Sequence, residues 1–471
     1  MAKFTGHTIT SDSALGSAVI QRSIRFFSDD GQVFQRTPGS AGNRKKWTFS
    51  AWIKRSNLGA EQRIFGGKAN ASHIYFASND ELTWDLADVD SGSVNSNLNT
   101  EAVFRDTNSW YHLVCALDTD NSTANNRMRM YINGTEITDF GTRTNPSSGY
   151  ATNAINDTSL HTIGRRTSDQ GSDGMRFDGY MAEINFIDGQ QYDPSYFGFT
   201  DPQTGIWLPK RYEGTYGTNG YRLDFSDKTS TTTLGIDKSP NGNDFTSNNF
   251  AVSDSVPDTP TNNWCTLNPL NSFGGTVSSL SNGLLQFNLS NNNHYPLSTL
   301  LIPETGRWYA EALVTSIGND QATWIVSNPE LQQNSSGTSA TNRHNAVNYY
   351  RTDLRVDDSD NQVEVTDGSQ VNNIIGILID RDEGTVAFKN NNSNVGNPVP
   401  LSAAAGSTET LIIGAGNGSG SQGPQGLFNF GQDSSFAGNK TAQGKTDASG
   451  LGDFYYTPPT GYKALCSRNL P

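Results

Sequence analysis

Side chains that could do chemistry are scattered in this sequence. Its six histidines, His7, His73, His112, His161, His294 and His344, form no H-x-x-x-H pair, and no G-x-S-x-G elbow presents a serine nucleophile. His112 alternates with Tyr111 in an apolar run, the setting of a packed residue rather than a base. Cys115, Cys265 and Cys466 are odd in number and lack C-x-x-C spacing, so neither a disulfide framework nor a zinc site is expected. Oxygen ligands are better represented. In "DKSPNGND", Asp237, Ser239, Asn241 and Asp244 alternate around a glycine as ligands of Ca²⁺ would, although Asn248 stands where an EF-hand needs its bidentate glutamate. The other reading of that loop is a turn closed by its own Asx side chains.

Saccharide recognition uses aromatic faces beside amides and carboxylates. Trp84 with Asp85, Trp324, and Tyr349 with Tyr350 and Arg351 offer such groups, while filling a core is the competing use of every aromatic. "NRKKWTFSAWIKRS", Asn43 to Ser56, adds a further candidate. Period two puts Trp47, Phe49, Ala51 and Ile53 on one face, a core face, and Thr48, Ser50, Trp52 and Lys54 on the other. Trp52 therefore packs under a covering loop or a second sheet, or lines a binding groove. The cations at the two ends of this run are expected to meet solvent and the protein's own carboxylates. With 33 Lys plus Arg against 47 Asp plus Glu, the net charge of -14 opposes binding to phosphate backbones or anionic lipid.

The elements that must position these groups are strands. Charged residues are only 17% of the chain, Gly numbers 47, and short alternating runs recur between Gly, Asn, Asp and Ser clusters. "SIRFFS", "WTFSAWIKR", "RIFGGK", "HIYFAS", "ELTWDLA", "WYHLVCALD", "RMRMYING", "HTIGRR", "FDGYMAEINFID" and "GYRLDFS" read as strands of one large sandwich. In "YINGTEI", Asn133-Gly134 is the signature of a type I′ hairpin. A second strand-rich region includes "GRWYAEALVTS", "IIGILID", "TVAFKN" and "LFNFGQ". Between the two, residues 251–265, with two prolines, read as a linker. Only Asp12 to Ser23 offers a helix, equally readable as an extended arm. The expected order is an arm over 1–21, a sandwich over 22–250, the linker over 251–265 and a sandwich over 266–471. No apolar run suits a secretory signal, and the longest, Ile374 to Ile379, is far too short to span a bilayer. Synthesis in a cytoplasm is the expectation.

"SIRFFSDDGQVFQRTPGSAGNRKKWTFSAWIKRS", "WYHLVCALDTDNSTANNRMRMYINGTEI", and "HTIGRR" leading to "FDGYMAEINFIDG" resemble the laminin-G-like (concanavalin A-like lectin/glucanase) domains of tailed-phage virion proteins, over about Arg22 to Phe250. "GRWYAEALV", "IIGILIDRDEGTVAF", "LFNFGQDSSF" and "DFYYTPPTGYKALCSRNLP" are similar to SPRY-type sandwiches of such proteins. The resemblance implies an all-β chain of two concanavalin A-like antiparallel jelly-roll sandwiches. It also implies a non-enzymatic virion component: a tail fibre, tail-tip or capsid-surface protein. Such a component works by contact with other virion proteins, commonly as a homotrimer, and with host-surface polysaccharide; the arm over 1–21 would attach it to the particle. A dedicated glycan-binding adhesin is the alternative, and a depolymerase the third reading. Laminin-G-like domains hold Ca²⁺ at a sandwich rim, which would fall on Asp118, Asp120 and Asn121 in "ALDTDNST". Glucanases of this type carry E-x-D-x-E on one strand, and no E-x-D word occurs here; Glu183 and Asp188 in "EINFID" point to opposite faces.

Overall fold

The computed structural model describes residues 18–67, 71–87, 94–166, 175–273, 279–289, 295–317, 322–327, 346–350, 353–356, 362–364, 370–401, 410–417 and 424–471. The chain is all-β, and among the described residues helix is confined to short 3-10 turns. It divides after Thr261 into two compact units. Of the helix or arm expected over Asp12 to Ser23, residues 12–17 lie outside the described ones, and Ser23 opens the strand Ser23–Phe26.

The first unit is built around Lys46–Arg55, which pairs antiparallel with Tyr111–Asp118 on one side and Gly179–Asp188 on the other. This sheet ends in Ser23–Phe26 and Ser255–Val256. A second eight-stranded sheet runs Phe140–Thr144, Val94–Val103, Glu81–Ala87, Ala71–Phe76, Gln62–Gly67, His161–Ile163, Val33–Arg36 and Thr246–Asn248. Trp47, Phe49, Ala51 and Ile53 point into the core with Trp84, Phe65 and Phe186. Burial of each large member contributes about 1.5–3 kcal/mol, which is what the period-two pattern encodes. At the hairpin, Asn133 and Gly134 have φ of 48° and 82°, the left-handed pair a type I′ turn requires. A side chain at 134 would also strike the Trp207 ring.

The other face of Lys46–Arg55 is covered too. Lys54 and Arg55, placed by the sequence pattern at a solvent-facing strand end, are buried. Lys54 is 1% exposed and lies 2.9 Å from Asp258, which is fully buried. Arg55 lies 3.0 Å from Asp80 and donates to the Phe104 carbonyl at 2.6 Å. Much of the segment expected as a linker over 251–265 has defined contacts with the first unit. Ser255–Val256 adds a strand beside Ser23–Phe26, Asp258 accepts from Trp110 Nε1 at 3.3 Å, and Thr261 donates to the Ile20 carbonyl. Trp264 is buried and bridges to Cys466 within the second unit. Proline and small polar residues make this segment look like a tether, but one carboxylate with a buried lysine to neutralise binds it to the sandwich.

The second unit also has two sheets. One runs Leu267–Phe273, Tyr295–Ser298, Ile412–Asn417, Ala322–Ser327, Ala346–Tyr350, Asp353–Val356 and Gln362–Glu364. The other centres on Arg307–Ser316, flanked by Ile374–Asp380 and Gln425–Asn429. Trp308, Ala310, Ala312 and Val314 face the core. On the opposite face Glu311 is fully buried and accepts from Tyr309 Oη (3.1 Å), Asn429 Nδ2 (3.2 Å) and the backbone N–H groups of Tyr455 (2.8 Å) and Tyr456 (2.7 Å). Burial pushes its carboxyl up to about 7, against the pull of those donors.

Two outcomes are expected. Asp258→Ala removes the carboxylate partner of a buried ammonium and lowers the first unit's stability by about 3–5 kcal/mol in denaturant melts. Glu311 holds its proton to a higher pH folded than unfolded. Its contribution is therefore complete below the ordinary 4.5 and is lost as pH rises towards about 7, with a slope of at most about 1.4 kcal/mol per pH unit. Denaturant melts of the second unit across that window, with Glu311→Gln as the variant lacking the slope, measure it.

Candidate functional site

The strand Glu81–Ala87 separates two kinds of side chain by parity. Leu82, Trp84 and Leu86 enter the core, and Glu81, Thr83 and Asp85 take the outward face. Its neighbour Ala71–Phe76 does the same, with Ile74 and Phe76 inward and His73 and Tyr75 outward. Register then assembles two rows across the second sheet. Arg63 pairs with Tyr75, Tyr75 with Thr83 and Thr83 with Asn99; His73 pairs with Asp85 and Asp85 with Asn97.

The rows are bonded internally. The Arg63 guanidinium lies 3.9 Å from the Tyr75 ring centroid and pairs with Glu61. Thr83 donates to Asn99 Oδ1 at 2.6 Å, and Asn99 Nδ2 donates to Glu81. Asp85 accepts the His73 backbone N–H at 2.6 Å. Gly66, opposite His73, has no Cβ because one would sit 2.4 Å from the imidazole. Burial raises the Asp85 carboxyl, with Arg63 and the His73 N–H drawing it back. Burial also holds His73 well below its ordinary value, reinforced by Arg63 and Arg166, so the imidazole is neutral. Among the described residues two Arg63 nitrogens, Nε and Nη1, and His73 Nε2 have no hydrogen-bond partner. Tyr75, Glu81, Asn97 and Asn99 are the half-buried, accessible members. A stacked ring flanked by amide, hydroxyl and carboxylate groups suits hydrogen-bonded recognition of a hydroxyl-rich ligand.

The residues expected at sites are dispersed. Asp85 lies in these rows, while its chain neighbour Trp84 is wholly inside the core. Trp52 is 4% exposed, packed with Ile20, Trp110, Tyr180 and Val256 and stacked on His112 at 4.7 Å. Tyr349 is a core residue of the second unit, and the Tyr350 side chain, Arg351 and the Trp324 side chain lie outside the described residues. Asp118 and Asp120 are engaged by Lys46 (2.8 Å) and Lys45 (3.3 Å), and Asn121 accepts from the Thr123 N–H. Asp237 accepts from the N–H groups of Arg222, Ser239 and Asn243, and Asp244 from that of Asp237. In both loops these oxygens close turns. Among the described residues no three His, Cys, Asp or Glu side chains converge as metal ligands.

Among the described residues Ser50 and His112 make a Ser–His contact with catalytic spacing, Oγ to Nε2 at 2.9 Å. It is inert as a nucleophile–base pair. Trp207 Nε1 donates to His112 Nδ1 at 3.0 Å, which puts the imidazole proton on Nε2 and turns that nitrogen into a donor towards Ser50. Burial takes the ring down to about 3, so it stays neutral.

A family model described as the concanavalin A-like lectin/glucanases superfamily matches residues 29–190, the span that holds both rows. With the sheet topology, it defines a laminin-G-type, concanavalin A-like fold. No curated protein matches the chain. Solved structures with similarity include a Bacteroides ovatus protein described as carbohydrate binding (16% identity, TM-score 0.33, 49% of this chain and 59% of that one). Others are the LG4-5 domains of the mouse laminin alpha1 chain (9%, TM-score 0.29, 91% and 92%) and the SPRY domain of human HERC1 (12%, TM-score 0.27, 34% and 96%). This chain thus spans 59% of the length of the Bacteroides protein.

Trp52→Ala is expected to cost about 3–5 kcal/mol in denaturant melts of the first unit, the loss of a packed aromatic. An unchanged midpoint would place Trp52 outside the packed layer.

Proposed function

We propose that this protein is a non-enzymatic recognition component that binds saccharide through the outward rows of its first sandwich. The observation that carries this reading is the Arg63–Tyr75–Thr83–Asn99 row, in which an aromatic ring, an amide and a hydroxyl share one face. The similarity of the motif-bearing segments to phage laminin-G-like and SPRY-type domains supports the finer reading. On that reading the chain is a structural appendage of a tailed-phage particle, a tail fibre, tail-tip or capsid-surface protein. Its sandwiches make contact with other virion proteins, as a homo-oligomer, and with host-surface polysaccharide.

The test is binding of the full chain to polysaccharide purified from host envelopes. Tyr75→Ala should weaken it about tenfold, the equivalent of about 1.4 kcal/mol, without moving the melting temperature. Equal binding by wild type and variant would remove the rows from the reading. Release of reducing ends would overturn the non-enzymatic assignment. The pair to replace would then be Glu81 and Asp85, which lie at same-face positions with Thr83 between them.

A further inference from the structure

In the second unit a cavity of about 400 Å³ opens beside the start of Arg307–Ser316. Its size falls in the range of small-ligand sites. Its walls are held by a carboxylate that is itself 7% exposed, Asp447. One oxygen accepts the N–H groups of Ser449 (2.8 Å) and Leu451 (2.9 Å). The other accepts the Ala464 N–H (2.8 Å) and Asn469 Nδ2 (2.7 Å). Three separate lining segments are thereby fixed around one point. Trp308 is equally fixed, its Nε1 donating to the Thr305 carbonyl at 3.0 Å.

Two cations line this cavity, Lys463 and Arg468. Among the described residues neither side chain has an ion-pair or hydrogen-bond partner. Of the side-chain carboxylates nearby, Asp380 is engaged with Arg307 at 2.8 Å, Asp382 with the Gly306 N–H at 2.7 Å, and Asp447 with its four donors, and Pro471 is also part of the lining. In a chain of net charge -14, whose cations elsewhere in the fold repeatedly meet carboxylates, two unpaired positive groups at one cavity mark a place for an anion. The rest of the lining is unsuited to a bare ion. Leu451 and Leu470 offer apolar surface over the buried Trp308, and Thr305, Ser449 and Asn469 offer hydroxyl and amide groups.

We propose that this cavity binds an acidic saccharide unit of uronate type. Lys463 and Arg468 take the carboxylate, the hydroxyl and amide groups meet the sugar hydroxyls, and the two leucines pack against the ring's apolar edge. The site is independent of the outward rows of the first unit.

Calorimetric titration of the full chain with D-glucuronate, D-glucose and inorganic phosphate tests it, using wild type, the double variant Lys463→Ala/Arg468→Ala, and Tyr75→Ala. Glucuronate should bind about tenfold or more tighter than glucose or phosphate, and more weakly as salt is added. The double variant should lose about tenfold or more at an unchanged melting temperature, Lys463→Gln alone should move the same way, and Tyr75→Ala should bind as wild type. No heat at ~10 mM glucuronate, or full binding by the double variant, would overturn the proposal. Equal binding of glucose would remove the cations from recognition, and equal binding of phosphate would reduce the cavity to a plain anion site; each overturns the saccharide assignment. Loss of glucuronate binding in Tyr75→Ala would move the ligand to the first unit.

Discussion

The first sandwich depends on one buried charge. A strand in a two-layer fold ordinarily shows one face to a core and the other to water, but Lys46–Arg55 has both faces covered, and its outer face carries Lys54. An ammonium cannot stay charged there without a partner. Asp258, 204 residues further on, supplies it, and Trp110 Nε1 and the Ser23 hydroxyl secure the same residue. Once Asp258 is fixed, Ser255–Val256 is delivered to the sheet edge beside Ser23–Phe26, and Val256 and Ile20 close over Trp52. Covering the outer face with the chain's own later segment turns a half-exposed sheet into a middle layer. The arrangement also joins residues far apart in sequence, a topology that folds slowly because loop closure precedes the contacts that reward it.

The same device recurs on a smaller scale. Asp188 accepts from Asn43, Asn156 and Asn219, which come from three separate loops. Asp178 ties Ser28 to Ser56, Glu311 holds Asn429 and the Tyr455–Tyr456 backbone, and Asp447 gathers the cavity wall. A carboxylate has room for about four donors, and each hydrogen bond to it is stronger than a neutral one. Loops that lack helices or disulfides are thus fastened by single acids. The acidic excess therefore has a structural share, and an Asp-rich loop in this chain reads as a fastened turn before it reads as a cation site.

Much of the fold was legible because apolar alternation is a direct consequence of a buried sheet face. Lys46–Arg55, Glu81–Ala87 and Tyr111–Asp118 all announce themselves in that way. Val94–Val103 does not: its Asn, Ser and Thr residues are poor advertisements for a strand, and it exists because Glu81–Ala87 offers an edge to pair with. The segment over 251–265 hides its fastening for the converse reason. Its proline content is real, but the partner that orders it, Lys54, lies two hundred residues away, and no local pattern contains that fact.

The site was legible one residue at a time and not as a group. Trp84 and Asp85 attract attention as a dipeptide, yet successive strand residues face opposite ways, so the pair is divided between core and surface. What surrounds Asp85 is decided by register, which brings His73 and Asn97 to it and Arg63, Tyr75 and Asn99 alongside. A one-residue slip would replace every one of these neighbours with core side chains. Recognition by such a sheet is therefore tied to the packing beneath it: Trp84, Ile74 and Leu98 pin the register from below, and the outward rows are the other half of the same constraint.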